Sequence, residues 1–170
     1  MLTPIKIIFL DIDGVLNLIS QGHDQYGSIF HEHLVDNLRK IVDETGAKIV
    51  ISSTWRFDGL DVMQDMWKSR NYPGEVIDIT ESYIDKVAKE FGIEYYDDII
   101  RGHEIELYLH EHPSVVDYVI LDDDTDMLPS QMNNYVQTSG NKDHPDCIDI
   151  GYGLTSICAQ KAIDILNKSI

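Results

Sequence analysis

The sequence predicts a doubly wound, Rossmann-like α/β fold: a parallel sheet with helices on both faces. Three observations predict it. Short continuous apolar runs rich in Ile and Val recur along the chain, helical patterns separate them, and each run ends directly in acidic or hydroxyl side chains. At 170 residues, 43% hydrophobic and 25% charged, the chain is expected to form one globular domain over residues 1–170.

The first apolar run, Ile5 to Leu10, reads as a strand buried on both faces. His33 to Glu44 then places Leu34, Leu38, Ile41 and Val42 on one face of a helix, and Ala47 to Ile51 is the second strand. In the 44-residue stretch Phe57 to Ile100, Val62–Lys68 and Tyr83–Phe91 read as helices. Gly102 to His110 carries Ile105, Leu107 and Leu109 and leads into a third strand, Tyr118 to Leu121. Ser139 to Gly153 is polar and reads as a long loop. Thr155 is the expected N-cap of a closing helix whose apolar face is Ile157, Ala162, Ile165 and Leu166.

Charge narrows the range of partners. Thirteen basic against thirty acidic residues leave a net charge of -17, which argues against extended nucleic-acid binding but not against contact with a single phosphate. No apolar run approaches the roughly 18 residues of a membrane span, and the opening segment lacks a signal-peptide core. Cys147 and Cys158 are too few for a disulfide framework and lack metal-ligand spacing. A cytoplasmic protein without membrane contact is expected.

The chemistry is expected where the strands end. Ile5–Leu10 runs into Asp11, Asp13 and Gly14, the second strand into Ser52, Ser53 and Thr54, and the third into Asp122, Asp123, Asp124 and Asp126. In a parallel sheet these ends share one edge, where ligands bind. Carboxylates gathered so closely repel one another, and a hard divalent cation with oxygen ligands, Mg²⁺ foremost, resolves the conflict.

These residues resemble the haloacid dehalogenase (HAD) superfamily of phosphohydrolases. Its DxDG motif after a buried strand is matched by Asp11, Asp13 and Gly14, and its strand-ending hydroxyl by Ser52. The basic residue opening a later helix is matched by Arg101, and the acidic pair by Asp122 and Asp123. The segments FLDIDGVLN, KIVISSTWR, RGHEI, ILDDD and GLT are similar to the branch found in Swiss Army Knife RNA repair proteins. Residue chemistry agrees with phosphoryl transfer: Asp11 as nucleophile, Asp13 as general acid and base, Ser52 and a backbone N–H near Asp13 or Gly14 as donors to the phosphoryl oxygens, Arg101 as fixed positive charge. The resemblance implies Mg²⁺ held by the Asp11 and Asp122 side chains and the Asp13 main-chain carbonyl, with Asp123 beside them. Gly14, Ser53 and Arg56 are the further expected substrate contacts, and the resemblance also implies a small or absent cap, because neither Gly14 to Ala47 nor Phe57 to Ile100 is long enough for a full cap domain.

Several other readings compete. Ser53 and Thr54 rival Ser52 because a one-residue slip of the strand end exchanges them; Lys86 and Lys89 are substitutes for Arg101. A calcium loop from Asp122 fails because Met127 stands where Gly is needed and Asn133 where Glu is needed. The HEH triplets, His31–His33 and His110–His112, do not share a helical face and read as solvated. A receiver-type phospho-acceptor would carry its Asp on the middle strand, which here ends in Ser-Ser-Thr. An inactive phospho-ligand binder would lack a motif residue, and none is missing. The expected substrate is a small phosphate ester or a nucleic-acid end, with Trp55 or Tyr26 able to stack on a base; a sugar phosphate, hydrolysed or transferred, is the alternative.

Overall fold

The computed structural model describes residues 4–18, 22–81, 83–138 and 152–168. In chain order the elements are β1 (Ile5–Leu10), a hairpin of β2 (His23–Asp24) and β3 (Gly27–Ser28), α1 (Glu32–Thr45), β4 (Lys48–Ile51), α2 (Leu60–Ser69) and β5 (Val76–Ile79). Then come α3 (Ile84–Phe91), α4 (Arg101–Glu111), β6 (Val115–Asp122), β7 (Tyr135–Gln137) and α5 (Ser156–Leu166). A 3₁₀ turn, Thr54–Asp58, follows β4.

Five parallel strands form one sheet in the order β5-β4-β1-β6-β7. The continuous apolar runs have the expected cause: successive side chains point to opposite faces, and both faces are covered. Ile8, Leu10, Ile49, Ile51, Val119 and Leu121 pack under α1, α2 and α5. Ile7, Phe9, Val50 and Ile120 pack on the other face against Ile105 and Tyr108 of α4, with the Phe9 and Tyr108 rings edge to face at 5.5 Å. The fold class is therefore as the sequence predicts.

Several elements differ in detail. Edge strands β5 and β7 carry no apolar run that marks them: β5 is four residues interrupted by Asp78, and β7, the closing strand the resemblance implies, is three. The segment between β4 and α4 is thus part of the α/β framework, supplying α2, β5 and α3. Thr155 does cap α5, its hydroxyl accepting from the Cys158 N–H. The buried face of α5, however, is Cys158, Ala159, Ala162, Ile163 and Leu166. Ile157 is 47% exposed because the helical period carries it to the side opposite Ala159 and Ala162. The predicted loop at 139–153 lies outside the described residues except for Tyr152 and Gly153.

The β2–β3 hairpin has two residues per strand, and α2 anchors it. Arg70 donates to both Asp24 oxygens at 2.9 and 2.6 Å and to the carbonyls of Ser28 and Gly27, while its guanidinium lies 5.1 Å from the Phe30 ring centre. Among the described residues no helix is long and apolar enough to cross a membrane.

Candidate active site

Strand register assembles the site. Leu10 pairs with Ile51 on one side and Leu121 on the other, so one residue later Asp11, Ser52 and Asp122 stand side by side. By alternation all three belong to the face of Phe9, Val50 and Ile120, which α4 covers. Arg101 opens α4 there, as the sequence predicts, and its Nη1 lies 2.8 Å from Asp11 Oδ1 and 2.6 Å from Asp122 Oδ2.

Asp11, Asp122 and Asp123 each place a carboxylate oxygen within 4.8 Å of the others. Burial pushes the Asp11 carboxyl up, against the pull of the Arg101 charge. Burial, reinforced by the Asp11 charge, pushes Asp122 up to about 8 and Asp123 to about 6. Burial alone would lower the Arg101 guanidinium, but the Asp122 and Asp11 charges outweigh it and raise it. Three carboxylates against one guanidinium leave an oxygen-rich, negatively charged cluster, the donor set a hard divalent ion takes. Of the four residues predicted to hold metal, three converge by their side chains. The side chain of the fourth, Asp13, is exposed and points elsewhere: Trp55 Nε1 donates to its Oδ2 at 2.9 Å and Asn17 Nδ2 to its Oδ1 at 2.6 Å.

Gly14 is at φ +79°, a conformation that suits glycine, and a Cβ there would lie 2.2 Å from Asp123 Cγ. The Gly14 carbonyl accepts from Thr138 Oγ1 at 2.9 Å. Ser52 is fully buried, and its Oγ has no hydrogen-bond partner. Ser53, also buried, hydrogen-bonds Asp11, and its Oγ accepts from the Trp55 N–H at 3.3 Å. The open cleft is lined by Asp11, Asp13, Gly14, Thr54, Arg101, Asp123 and Asp124. Thr54 is thus the hydroxyl facing the cleft. Arg56 does not line this cleft: it is 4% exposed, with Nη2 2.7 Å from Glu104 Oε1 and Nη1 donating to the Ser52 carbonyl. It ties β4 to α4. Neither HEH triplet joins a metal-ligand group among the described residues.

Sequence reasoning did not find Asn17, Thr138 or Glu104. Asn17 had a local signal, four residues after Asp13 in the same turn. Thr138 and Glu104 are brought in by β7 and α4, across separations no local pattern spans. A second cavity of about 380 Å³ adjoins the cleft through Thr54 and is lined by Tyr26 and Trp55, the two rings expected to stack on a base, and by His23, Ser28 and Asp58.

The family model described as "HAD domain in Swiss Army Knife RNA repair proteins" matches residues 7–142, well over half of the chain. The chain belongs to that family. This HAD domain is a HAD-like phosphohydrolase, a superfamily that generally uses a divalent metal, and its three-carboxylate cluster fits one. Among solved structures, the HAD domain is similar to a Legionella pneumophila protein assigned as a HAD superfamily (subfamily III A) hydrolase, at 16% identity over 95% of this chain and 87% of that one, with a TM-score of 0.35. A Vibrio cholerae protein assigned as a 3-deoxy-D-manno-octulosonate 8-phosphate phosphatase is 17% identical over 97% and 84%, with a TM-score of 0.36. Among curated proteins, none matches the HAD domain.

Proposed function

We propose that this chain, acting as a single cytosolic domain, hydrolyses phosphate monoesters through an aspartyl-phosphate on Asp11, with Mg²⁺ as its metal. The observation that carries the reading is the placement of Asp11. Its carboxylate stands at the strand edge within 4.8 Å of the Asp122 and Asp123 oxygens, against Arg101, on the wall of an open cleft. When bound by Asp11, Asp122, Asp123 and the Asp13 carbonyl, Mg²⁺ offsets the repulsion between carboxylate and phosphate.

In the first step an Asp11 oxygen bonds to phosphorus and the bond to the leaving oxygen breaks, while Asp13 gives that oxygen a proton. In the second, water attacks phosphorus, Asp13 takes the water's proton, and the bond to Asp11 breaks, restoring the Asp11 carboxylate and the Asp13 carboxylic acid. Trp55 and Asn17 hold Asp13 on the exposed side of the cleft, where a leaving group departs to solvent. Arg101 holds Asp11 in place, Thr54 stands in the cleft as a hydroxyl donor, and Ser52 and Ser53 support the strand end behind it.

The favoured substrate is the terminal phosphate of a nucleotide or nucleic-acid end. The family's description as a domain of RNA repair proteins supports it, as do the small hairpin in place of a cap and the Tyr26–Trp55 cavity beside the cleft. The test is turnover across nucleotides, phosphorylated oligonucleotide ends and sugar phosphates, with mass spectrometry of the acid-quenched enzyme. Phosphate is expected on the peptide containing Asp11, and Asp11→Asn is expected to abolish turnover while retaining the native circular dichroism spectrum. Near-normal turnover by Asp11→Asn overturns the mechanism. Rapid turnover of a sugar phosphate with no turnover of nucleotide ends overturns the substrate class.

A further inference from the structure

We propose that a third cavity, on the far side of the 54–58 turn from the hairpin, binds a nucleobase one step removed from the scissile phosphate. The inference rests on the phosphatase reading above and adds a second recognition site to it. The cavity measures about 440 Å³, within the range of small-molecule sites, and its walls include Arg56, Phe57, Asp78, Thr80, Tyr83 and Tyr108.

Two buried polar atoms on its lining residues have no hydrogen-bond partner: Thr80 Oγ1, in a residue 1% exposed, and Arg56 Nε, in a residue 4% exposed. Buried donors and acceptors in native proteins are almost always paired, so two on one cavity point to a polar ligand. Phe57 and Tyr83 in turn are large rings left 65% and 76% exposed on the same cavity, the surfaces on which bases stack. Asp78, Glu81 and Glu111 complete the rim; Lys86 pairs with Glu81 and Glu111 at 2.9 and 3.0 Å, so three carboxylates face one ammonium, a balance that disfavours a phosphate while leaving carboxylate lone pairs for N–H groups. Together they fit a base with both a ring acceptor, for the Arg56 N–H, and an exocyclic amino group, for the rim and Thr80 oxygens. Adenine, guanine and cytosine satisfy this; uracil lacks the amino group.

The turn supplies the connection. Thr54 at its start lines the catalytic cleft, and Phe57, three residues on and roughly 6 Å along a 3₁₀ turn, lines the cavity. A nucleic-acid end whose terminal phosphate sits in the cleft can therefore lay its second nucleoside over the turn, with that base against Phe57.

The experiment compares kcat and KM for p-nitrophenyl phosphate, mononucleotides, and dinucleotides with the same terminal phosphate, in both the 3′ and 5′ series. Wild type, Phe57→Ala and Thr80→Val are assayed. In one series the second nucleotide is expected to lower KM roughly tenfold, more for an amino-bearing base than for uracil. Phe57→Ala should lose that gain, and Thr80→Val the base preference, with p-nitrophenyl phosphate turnover unchanged in both. Equal KM for mono- and dinucleotides in both series, while p-nitrophenyl phosphate is hydrolysed, overturns the subsite and leaves the phosphatase reading standing. A dinucleotide gain that survives both substitutions also overturns it. Failure to hydrolyse any of the esters overturns both.

Discussion

Replacing Arg101 by Met isolates the electrostatics that hold the strand edge together. The guanidinium is the cation shared by the buried Asp11 and Asp122, at 2.8 and 2.6 Å, and Met keeps an apolar stem of similar length. Removing one side of a buried ion pair costs about 3–5 kcal/mol because the partner charge stays behind. Asp122, held at about 8, already carries a proton at pH 7, so Asp11 is the charge left behind, which places the cost at pH 7 near the lower bound, about 3 kcal/mol. In a domain of this size that is a fall in Tm of roughly 6–12 °C. Without the guanidinium both carboxylates bind protons more tightly, so the penalty should grow as pH rises. Thermal denaturation in chelator at about pH 7 and about pH 8.5 measures it. Lys48→Met is the control, since its exposed pair with Glu75 should contribute less than about 1 kcal/mol. If the Tm of Arg101→Met stays within about 2 °C of wild type at the higher pH, the reasoning is wrong.

Asp122 also makes a linkage prediction. Its folded pKa of about 8 lies above the ordinary 3.8, so the folded state keeps a proton that the unfolded chain has lost. The metal-free protein should therefore lose stability relative to Asp122→Asn as pH rises from about 4 to about 8, and a difference that grows in favour of wild type would refute this. Gly14→Ala forces a side chain onto φ +79° and a Cβ to within 2.2 Å of Asp123 Cγ; titration calorimetry should show Mg²⁺ affinity reduced by about tenfold or more. Mg²⁺ should support turnover and Ca²⁺ support it poorly, because the larger Ca²⁺ shell disturbs in-line geometry; full activity after exhaustive chelation would remove the metal from the mechanism. With a net charge of -17, oligonucleotides longer than about three nucleotides should gain little in kcat/KM, with shallow salt dependence; a steep, salt-suppressed rise with length would contradict short-range recognition.

What the sequence makes legible here follows from range. β1, β4 and the core of β6 are apolar runs because both their faces are covered, and the polar residues ending them mark the shared edge without knowledge of register. Arg101 was found because it opens a helix, a local signal. Edge strands β5 and β7 carry no such run. The hydroxyl donors were harder still: Ser52, Ser53 and Thr54 are adjacent, and the path of the chain after β4 decides that Thr54 faces the cleft while the serines are buried. Arg56 reads as a substrate contact because it follows a strand end. Only the fold shows that Glu104, 48 residues away, engages it.

The anchoring of the hairpin separates two kinds of change. A hairpin with two residues per strand would not persist alone in water, and its grip comes from Arg70 of the α2 C-terminus binding Asp24 and the Gly27 and Ser28 carbonyls. None of those contacts involves β1, β4 or β6, the strands that deliver Asp11, the serines and Asp122. Residues at the tip, Gln25 and Tyr26, can thus be exchanged under selection, altering which molecules are admitted, while the carboxylate cluster stays under its own, stricter constraint. A library randomised at the tip alone should consequently yield folded proteins with altered substrate preference far more often than one randomised along the strand edge.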